Sequence, residues 1–304
     1  MPELPDVELY VEHLERRLAG RPLERVRVAS PFLLRTVAPP LSSAEGKAVR
    51  AVRRLGKRVV FALEGGPFLA VHLMVAGRFH WKDAPHAPVP KKVGLAAFDV
   101  PGATLVLTEA SPKKRAALHV VATEAELASL RRGGIEPLEA DLAAFAAALR
   151  SESHTVKRAL TDPRLFSGIG NAYSDEILHA ARMSPFALTR KLDDAEVARL
   201  HGATRATLST WLTRLRAEAG EKFPEKVTAF RTDFAVHGRH GKPCPDCGDP
   251  VQRLVYADNE ANYCATCQTG GRLLADRALS RLLKDDWPRT LEELEESIAA
   301  RRGA

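Results

Sequence analysis

The stretch Leu165-Phe-Ser-Gly168-Ile169-Gly170-Asn171-Ala172-Tyr173-Ser174-Asp175-Glu176 decides how the second half of this chain folds. The pattern predicts helices over 153–162 and 171–182, and the glycines on either side of Ile169 permit a close approach of the two backbones. The second helix would begin near Asn171, and the free N–H groups and positive dipole end of such a helix suit a phosphate. The same pattern fits a tight turn in which Asn171 only caps the helix, and both interpretations remain open.

Further helices are predicted on both sides of this turn. Thr123-Glu-Ala-Glu126 has the sequence of a capping box, and Asp141 opens a helix with Leu142, Phe145 and Leu149 on one face. The longest helix is predicted from Asp193 to about Ala219. Its apolar stripe consists of Val197, Leu200, Thr204, Leu208, Trp211, Leu212 and Leu215. In the tail, Leu279, Leu282 and Leu283 have helical spacing, and Thr290-Leu-Glu-Glu293 caps another helix.

Four cysteines form two Cys-x-x-Cys pairs, Cys244-Pro-Asp-Cys247 and Cys264-Ala-Thr-Cys267. Two such pairs at this distance are a strong signal for a zinc site, and their spacing disfavours unmetallated thiols. Four thiolates close the tetrahedral shell and leave no position for a substrate water, so we expect one structural Zn²⁺. The residues between the pairs would form a β-hairpin from Val251–Tyr256 and Ala261–Tyr263. A ribbon of this kind occurs in many unrelated proteins and does not identify the function.

The first half of the chain has a different pattern. Residues 3–19 are predicted to form a helix, with Val7, Tyr10, Val11, Leu14 and Leu18 on one face and Gly20 ending it. From about 24 to 121, short apolar runs separated by prolines and glycines predict a β-sandwich or barrel. The named examples are Val26–Val28, Arg58–Leu63, Phe68–Met74, Gly94–Val100, Thr104–Leu107 and Leu118–Val121.

Composition limits the classes of function. The chain has 304 residues, of which 45% are hydrophobic, so two or three domains with real cores are expected. A net charge of +7 favours a polyanionic partner. No run is long and apolar enough to cross a membrane, and the acidic start lacks the pattern of a signal peptide.

The first eight residues, Met1-Pro2-Glu3-Leu4-Pro5-Asp6-Val7-Glu8, offer a possible nucleophile. Removal of Met1 would leave the secondary amine of Pro2 at the N-terminus. A terminal amine titrates near pH 8, so part of it is neutral at pH 7 and can form a Schiff base with an electrophilic carbon. Glu3 beside it is a candidate proton donor or acceptor. Taken alone, these residues also fit an ordinary start with two surface acids.

Taken together, the motifs resemble one family. Pro2-Glu3-Leu4-Pro5, Gly56-Lys57, Gly168–Glu176 and the four-cysteine finger stand in the order found in the formamidopyrimidine-DNA glycosylase / endonuclease VIII family of base-excision repair enzymes. The resemblance implies an α+β fold with an N-terminal β-sandwich and its N-terminal helix, a helix-two-turn-helix domain and a C-terminal zinc-ribbon finger. The implied segments are 1–122, a catalytic β-sandwich; 123–236, the helical domain; 237–270, the finger; and 271–304, a C-terminal helical extension.

The resemblance also implies roles for individual residues. Pro2 would attack C1′ of the damaged nucleotide, Glu3 would transfer protons at the sugar, and Lys57 would contact the phosphate beside the lesion. Asn171 would bind phosphate, and Met74 would fill the gap left by the extruded base. From the sequence itself, Met74 fits the core equally well, and His72 fits either a phosphate contact or a buried histidine. The remaining residues assigned to DNA binding are Lys113, Arg115 and Asn259.

This sequence departs from the family pattern at four places. Asn259 stands at the hairpin tip where the family usually carries an arginine, which weakens the expected phosphate contact. The loop Thr108-Glu-Ala-Ser-Pro112-Lys-Lys-Arg115-Ala lacks the aromatic residue that usually follows two arginines there. Asp6 stands where many members have glutamate. Residues 268–304 follow the last cysteine, whereas the family usually ends soon after it.

Three hypotheses follow. The first is a DNA glycosylase with AP lyase activity that removes oxidised or ring-opened bases and cleaves the strand by β(,δ)-elimination. The second, motivated by Asn259 and the changed loop, is a weakly catalytic or non-catalytic DNA-damage-binding protein. The third, a sequence-specific zinc-ribbon DNA binder, leaves the N-terminus unexplained. The expected partner is double-stranded DNA with damaged bases or abasic sites, bound by a monomer in the bacterial cytoplasm, at the nucleoid when bound, with no membrane association.

Overall fold

The computed structural model describes residues 1–228, 231–256, 259–275 and 288–302. Within it the chain divides into two compact units. Unit 1 comprises Met1–Gly133 and Ser209–Ala229, and unit 2 comprises Gly134–Leu208 and Phe230–Ala304. No helix within the described ranges combines the length and the apolarity of a membrane span. Leu279, Leu282 and Leu283, predicted at helical spacing, lie outside the described residues.

Unit 1 begins with helix α1 (Leu4–Leu18), close to the predicted span. Glu3 is its N-cap residue, and Asp6 in the first turn accepts a hydrogen bond of 2.9 Å from the Glu3 backbone N–H. This reciprocal arrangement satisfies a donor that the start of a helix otherwise leaves unpaired. The predicted apolar face is confirmed, because Val7, Tyr10, Val11, Leu14 and Leu18 are all buried.

Two four-stranded antiparallel sheets form the rest of unit 1 and confirm the predicted β-sandwich. One sheet has the strand order β1-β6-β7-β5 and the other the order β2-β3-β4-β8. The strands are β1 (Arg25–Val28), β2 (Val49–Leu55), β3 (Arg58–Leu63), β4 (Phe68–His72), β5 (Gly77–Lys82), β6 (Gly94–Val100), β7 (Ala103–Glu109) and β8 (Ala117–Val121).

The apolar run of strand β3 is continuous because both of its faces are buried. Successive side chains of a strand point to opposite faces. Val59, Phe61 and Leu63 join the main core with α1 and both sheets, whereas Val60 and Ala62 join a second cluster. That second cluster includes Leu127 of helix α2 (Glu124–Ser129), whose N-cap Thr123 accepts from the Glu126 N–H as the predicted capping box requires. Both faces of this sheet are therefore buried.

The prediction for β4 was too long by two residues. The strand ends at His72, and residues 74–76 form a turn in which Met74 has a positive φ of 52°. Apolar residues continue through this turn, so the period-2 pattern gives no signal for the strand end. Strands β2 and β5 were not among the named examples. The β2 sequence, Val-Arg-Ala-Val-Arg-Arg-Leu, carries three arginines and reads as a basic run.

The core of unit 2 is helical. Its helices are α3 (Leu142–Arg150), α4 (Val156–Thr161), α5 (Asn171–Ala180) and the first part of α6 (Asp194–Ala219). Asp141 caps α3 as predicted, since its carboxylate accepts from the Ala144 N–H at 2.8 Å. The predicted face of α3 was partly wrong: Phe145 and Leu149 are fully buried, but Leu142, in the first turn, is 43% exposed.

Helix α6 contributes to both units. All seven residues of its predicted stripe are buried. Leu215, near its C-terminal end, belongs to the main core of unit 1, as does Val227 in the segment that follows. Arg216 of α6 also forms a bidentate ion pair with Glu12 of α1, with Nε–O distances of 3.0 and 3.1 Å. The end of the long helix is thus part of the β-sandwich unit.

The finger consists of strands β9 (Gln252–Tyr256) and β10 (Asn259–Tyr263), followed by the short helix α7 (Ala265–Thr269). The extension beyond it returns to the hairpin. Leu273 is buried with Leu254 and Tyr263, and Leu291 and Leu294 of helix α8 (Leu291–Arg302) pack against the same cluster. The Tyr263 hydroxyl accepts from the Leu274 N–H at 2.8 Å. The extension therefore covers one apolar face of the finger.

Candidate functional site

The N-terminal end of unit 1 is buried. Pro2 is buried, and Glu3 is 2% exposed. Burial lowers the pKa of the terminal amine of Met1 below its ordinary value, and Arg78 and Lys57 act in the same direction, while Glu3 and Asp6 oppose them. A lowered pKa increases the neutral fraction of an amine at pH 7. The start of this chain thus has the electrostatic environment of a nucleophilic amine.

Lys57 lies in the two-residue turn between β2 and β3. Leu55 pairs with Arg58 across this turn, and Gly56 takes the positive φ of 62° that a glycine adopts without strain. Arg54 fixes the turn by donating to the Gly56 carbonyl at 3.1 Å and to the Glu8 carboxylate of α1 at 2.9 Å. The turn is therefore tied to the helix that begins beside Pro2.

Burial lowers the pKa of the Lys57 ammonium, and the charge of Glu3 opposes this shift. Within the described part of the chain, the ammonium takes part in no hydrogen bond or ion pair. A cation held out of water without a hydrogen-bonded acceptor is costly, and an anionic ligand would remove that cost. Lys57 is therefore suited to a phosphate, and its lowered pKa also makes it a rival nucleophile to the terminal amine.

His72, at the end of β4, is neutral at pH 7. Burial, together with the charges of Arg58 and Lys57, lowers its pKa to about 4. Its Nδ1 accepts a hydrogen bond of 3.0 Å from the Met74 N–H, which places the ring proton on Nε2. Nδ1 is thus hydrogen-bonded within the protein, and Nε2 carries the proton needed to donate to a phosphate.

Met74 is half-buried and is not part of the apolar core clusters that the structure describes. Of its two predicted environments, the structure therefore favours exposure at the turn over the core. Lys113 and Arg115 are both exposed on the loop between β7 and β8. Glu109, 1% exposed, anchors this loop, because its carboxylate accepts from the N–H groups of Arg115 at 2.8 Å and Ala116 at 3.0 Å. No pattern in the sequence pointed to that anchor.

In unit 2, helix α5 begins at Asn171 as predicted, with Gly170 as its N-cap residue. The Asn171 carbonyl accepts from Lys157 Nζ at 3.2 Å. The same ammonium contacts Ser174 Oγ at 3.0 Å and Asp175 at 2.5 Å. Lys157, which the sequence analysis did not single out, thus holds the first turn of α5 in place.

Two acids of α5 are buried and hydrogen-bonded. Asp175, besides Lys157, accepts from His237 Nδ1 at 2.8 Å and from the Asn262 N–H of β10 at 3.1 Å. Glu176 accepts from three successive backbone N–H groups, those of Ala235, Val236 and His237, at 2.7–2.9 Å. This set, called the α5–finger junction below, fixes the finger strand and the 235–237 segment to α5. The adjacent acids Asp175 and Glu176, directly before Ile177 and Leu178, were the signal available in the sequence.

The four cysteines form one cluster, in which all four Sγ atoms lie within 4.8 Å of one another. The Sγ–Sγ distances are 3.4 Å for Cys247 and Cys264 and 3.9 Å for Cys244 and Cys267. Tetrahedral zinc with Zn–S bonds of about 2.3 Å requires sulfur separations of about 3.8 Å, so the residues fit the metal. These cysteines form the site of one structural Zn²⁺. His179 Nε2 lies 3.3 Å from Cys244 Sγ and supports the cluster from α5.

The tip of the finger hairpin is only partly described. Strand β10 begins at Asn259, so its backbone belongs to the hairpin as predicted. The side chain of Asn259 and the adjoining Asp258 lie outside the described residues. Its predicted contact with DNA therefore stays a prediction.

Comparison with known proteins identifies the family. Three family profiles match in succession: the formamidopyrimidine-DNA glycosylase N-terminal domain over residues 1–117, its H2TH domain over 134–217, and the zinc finger found in FPG and IleRS over 241–270. A formamidopyrimidine-DNA glycosylase of Thermus thermophilus is 36% identical over 279 residues, which cover 89% of this chain and all of that protein. The chain belongs to the formamidopyrimidine-DNA glycosylase family, and the resemblance seen in the sequence is confirmed.

Other relatives agree with this assignment. An uncharacterised formamidopyrimidine-DNA glycosylase-like protein of Mycobacterium tuberculosis is 43% identical over 151 residues, 50% of this chain and 94% of that protein. The crystal structure of the MutM (Fpg) protein of Thermus thermophilus has a TM-score of 0.73 at 35% identity, covering 88% of this chain and 98% of that one. A Lactococcus lactis FPG mutant in complex with Fapy-dG-containing DNA, 24% identical with a TM-score of 0.78 over 88% of this chain and all of that one, shares the fold.

Proposed function

We propose that this chain is a base-excision DNA glycosylase with AP lyase activity that acts on oxidised or ring-opened bases in double-stranded DNA. Relatives matched over their whole length carry the name formamidopyrimidine-DNA glycosylase, and a structural neighbour binds Fapy-dG-containing DNA. The observation that carries the proposal is the N-terminal end, where Pro2 and Glu3 are buried and where burial and Lys57 lower the pKa of the Met1 amine. Removal of Met1 would place the amine of Pro2 in the same surroundings. A protein that only binds damaged DNA has no need of such an amine.

The chemistry assigns one task to each group. After removal of Met1, the Pro2 nitrogen attacks C1′, the bond from C1′ to the base breaks, and the base leaves with a proton. The sugar ring opens as O4′ takes a proton, a transfer that we assign to Glu3, and a cationic iminium remains. The iminium acidifies the C2′ hydrogen. Loss of that proton expels the 3′ phosphate and cleaves the strand by β-elimination, and δ-elimination can follow at the 5′ side.

The remaining residues hold the DNA. In unit 1, Lys57 and His72 Nε2 would contact phosphates, Met74 would fill the gap left by the extruded base, and Lys113 and Arg115 would contact the DNA from their loop. In unit 2, Asn171 with the N–H groups that begin α5 would bind a further phosphate. Extrusion of a base costs a few kcal/mol, and such contacts help to offset it.

The second candidate function is damage binding without efficient strand cleavage. It is favoured by Asn259, a neutral amide where the family usually carries an arginine at the finger tip. A lost charge there weakens a phosphate contact, and elimination depends on how well that phosphate is held. This candidate predicts DNA binding similar to that of an active enzyme but little covalent adduct.

Borohydride trapping on DNA with an abasic site tests the proposal. Reduction of the iminium fixes the protein to DNA, and mass spectrometry of the adduct identifies the residue attached. We expect attachment at Pro2, and loss of the adduct in Pro2→Gly or in protein that retains Met1. Lys91→Ala, an exposed cation of the same unit to which no role in DNA binding is assigned, is the control and should keep the adduct. Attachment at Lys57 would overturn the assignment of Pro2, and absence of an adduct despite tight binding would favour the second candidate.

The proposal also includes the oligomeric state and the cellular location of the protein. The named relatives come from bacteria, and we infer that the protein works as a monomer in the bacterial cytoplasm, at the nucleoid when bound to DNA. We also retain the division of the chain into 1–122, 123–236, 237–270 and 271–304 as a proposal about its domains.

A further inference from the structure

The C-terminal end of helix α5 reaches the cysteine cluster through a histidine. His179 is 4% exposed, and its Nε2 lies 3.3 Å from Cys244 Sγ. A thiolate bound to a metal carries no proton, so it can only accept a hydrogen bond. The ring proton of His179 therefore lies on Nε2, and the imidazole donates to the sulfur.

The four sulfur atoms already complete the coordination of the metal. They lie within 4.8 Å of one another, and four thiolates leave no position for a fifth ligand of a tetrahedral Zn²⁺. His179 therefore acts on a sulfur atom and not on the metal itself. A side chain in such a position orients the ligand and adjusts how strongly it holds the metal.

The metal site needs hydrogen-bond donors because it is anionic and buried. Four thiolates outweigh the positive charge of one Zn²⁺, and Cys244 is 2% exposed. A buried charge is costly unless hydrogen bonds replace the lost water. The backbone N–H groups of Asp246 and Cys247 are hydrogen-bonded to Cys244, and His179 adds a side-chain donor to the same sulfur. The charge on Cys244 is therefore shared among several donors.

A second contact holds the same cysteine pair to the end of α5. Arg182, which follows the helix with a positive φ of 48°, has its Nη2 3.6 Å from the Asp246 carboxylate. Asp246 lies between Cys244 and Cys247 in the sequence, and its carboxylate is 3.9 Å from His179 Nε2, too far for a hydrogen bond. The His179 proton is thus directed to the sulfur, and the carboxylate is paired with Arg182.

We propose that His179 is a positioning residue of the metal site, whose hydrogen bond to Cys244 strengthens the binding of zinc and makes this thiolate less reactive. Sharing of the proton withdraws charge from the sulfur, which lowers its nucleophilicity while leaving its bond to zinc intact. A thiol held in place by α5 also loses less freedom when the metal binds. The inference concerns the finger and does not depend on the proposed glycosylase activity.

Competition for zinc with a chelating dye measures the effect on metal binding. We expect His179→Phe, which keeps a buried ring but has no donor, to bind zinc about tenfold more weakly. His179→Gln, whose amide retains an N–H donor, should restore most of the affinity. The matched control is His201→Phe in α6, because His201 Nε2 donates to the Ala140 carbonyl at 3.0 Å rather than to a sulfur. This control should bind zinc as wild type does.

Replacement of zinc by Co²⁺ separates the hydrogen bond from packing. Loss of an N–H donor raises the energy of the sulfur electrons, so the sulfur-to-cobalt charge-transfer band of His179→Phe should move to longer wavelength. The band of His179→Gln should stay near the wild-type position. The d–d bands should remain those of four sulfur ligands in all three proteins. A histidine that only fills space would change the affinity without moving the charge-transfer band.

Alkylation measures the reactivity of the thiolates. With excess iodoacetamide, a bond forms from the sulfur to carbon, iodide leaves, and the zinc that the thioether no longer holds passes to the dye. We expect His179→Phe to release zinc several times faster than wild type, and His201→Phe to release it at the wild-type rate.

Three results would overturn the inference. The first is equal zinc affinity and equal cobalt spectra for His179→Phe and wild type. The second is a weaker affinity that His179→Gln does not restore, with no movement of the charge-transfer band. The third is a wild-type cobalt spectrum of three sulfur ligands and one nitrogen ligand, which would make His179 a direct ligand. If His179→Phe does not fold, His179→Leu, which also lacks a donor, takes its place in each measurement.

Discussion

The candidate active site of unit 1 and the α5–finger junction of unit 2 both contain buried ionisable side chains. The two regions differ in how far those side chains are hydrogen-bonded within the protein. At the N-terminal end the acids Glu3 and Asp6 are buried beside partly buried bases, and loss of contact with water lowers the pKa values of the Met1 amine, Lys57 and His72. At the junction the buried groups are the acids Asp175 and Glu176, and each accepts three or more hydrogen bonds from within the unit.

The difference indicates which buried groups stabilise the fold and which are available to a ligand. A buried acid whose oxygens are saturated by protein donors has little capacity left for a ligand, so it stabilises the fold. A buried base without a hydrogen-bonded acceptor destabilises the fold and gains most when an anion or an electrophile arrives. We therefore expect substitutions at the junction to reduce stability, and substitutions at the N-terminal end to reduce activity while leaving or raising stability.

Removal of zinc should have the largest effect on stability and on DNA binding. It also tests whether the finger, like the junction, serves to stabilise unit 2. Chelation, or Cys264→Ser, leaves thiolates without their shared cation, and we expect the finger to unfold and DNA binding to be lost. Unit 1 contains none of the metal ligands and should keep its own thermal transition. Calorimetry and a gel-shift titration measure the two effects. Full DNA binding by zinc-free protein would contradict the structural role of the metal.

Asp175→Ala should destabilise unit 2 by about 2–4 kcal/mol. The substitution leaves the Lys157 ammonium and the Asn262 N–H without their buried acceptor, and breaking one partner of a buried pair is costly. The matched control is Asp194→Ala, which removes a carboxylate that pairs with Arg150 at 2.8 Å but is 95% exposed. Thermal unfolding of the control should match wild type. Equal stability of both variants would mean that the junction does not hold the finger.

Lys57→Met should change activity and stability in opposite directions. Loss of one phosphate contact should weaken binding to all lesions similarly and reduce the salt slope of binding by about one unit. Removal of an ammonium whose pKa is lowered by burial should raise the free energy of unfolding by up to about 1 kcal/mol. Gel shifts at several salt concentrations and urea denaturation test the two halves. A stability loss without an affinity loss would make Lys57 a structural residue.

The last prediction concerns the dependence of stability on acid pH and not the stability at neutral pH. His13 of α1 is fully buried, and burial, with Arg16 and Arg17, lowers its pKa to about 4, while Glu12 opposes the shift. A base whose pKa is lower in the folded state binds more protons when unfolded, so stability is lost as pH falls from about 6.5 towards 4. The expected loss from His13 between pH 7 and 5 is roughly 2 kcal/mol.

The variant His13→Phe keeps an aromatic ring beside Phe223, whose centroid lies 6.3 Å away. It should flatten the acid side of the stability profile by part of this amount, because His72 still contributes. An unchanged profile in melting experiments at pH 7 and 5 would show that His13 does not cause the loss of stability in acid.

Much of the architecture could be predicted because local patterns determine it. The period of α1, the caps at Thr123 and Asp141, the seven-residue stripe of α6 and the cysteine spacing each specify their own element. Periodicity did not reveal which core each end of α6 joins. Nor could it locate the turn at Met74, because the apolar run continues through it. Contacts far apart in sequence, such as Asp175 with Asn262, leave no local trace.

The candidate site was predictable where its residues belong to motifs. Pro2, Glu3, Lys57 and Asn171 were found from their neighbours in the sequence, and their roles remain proposals. Lys157, Glu109 and His179 were missed because each acts through a partner on another element.

The extension that covers the finger has a practical consequence for anyone who purifies this protein. A tag at the C-terminus would follow directly after α8, which packs on the hairpin through Leu291 and Leu294. A tag at the other terminus would convert the Pro2 amine into an amide and prevent the proposed chemistry. An affinity label is therefore better inserted among the exposed residues 83–86 of the loop after β5.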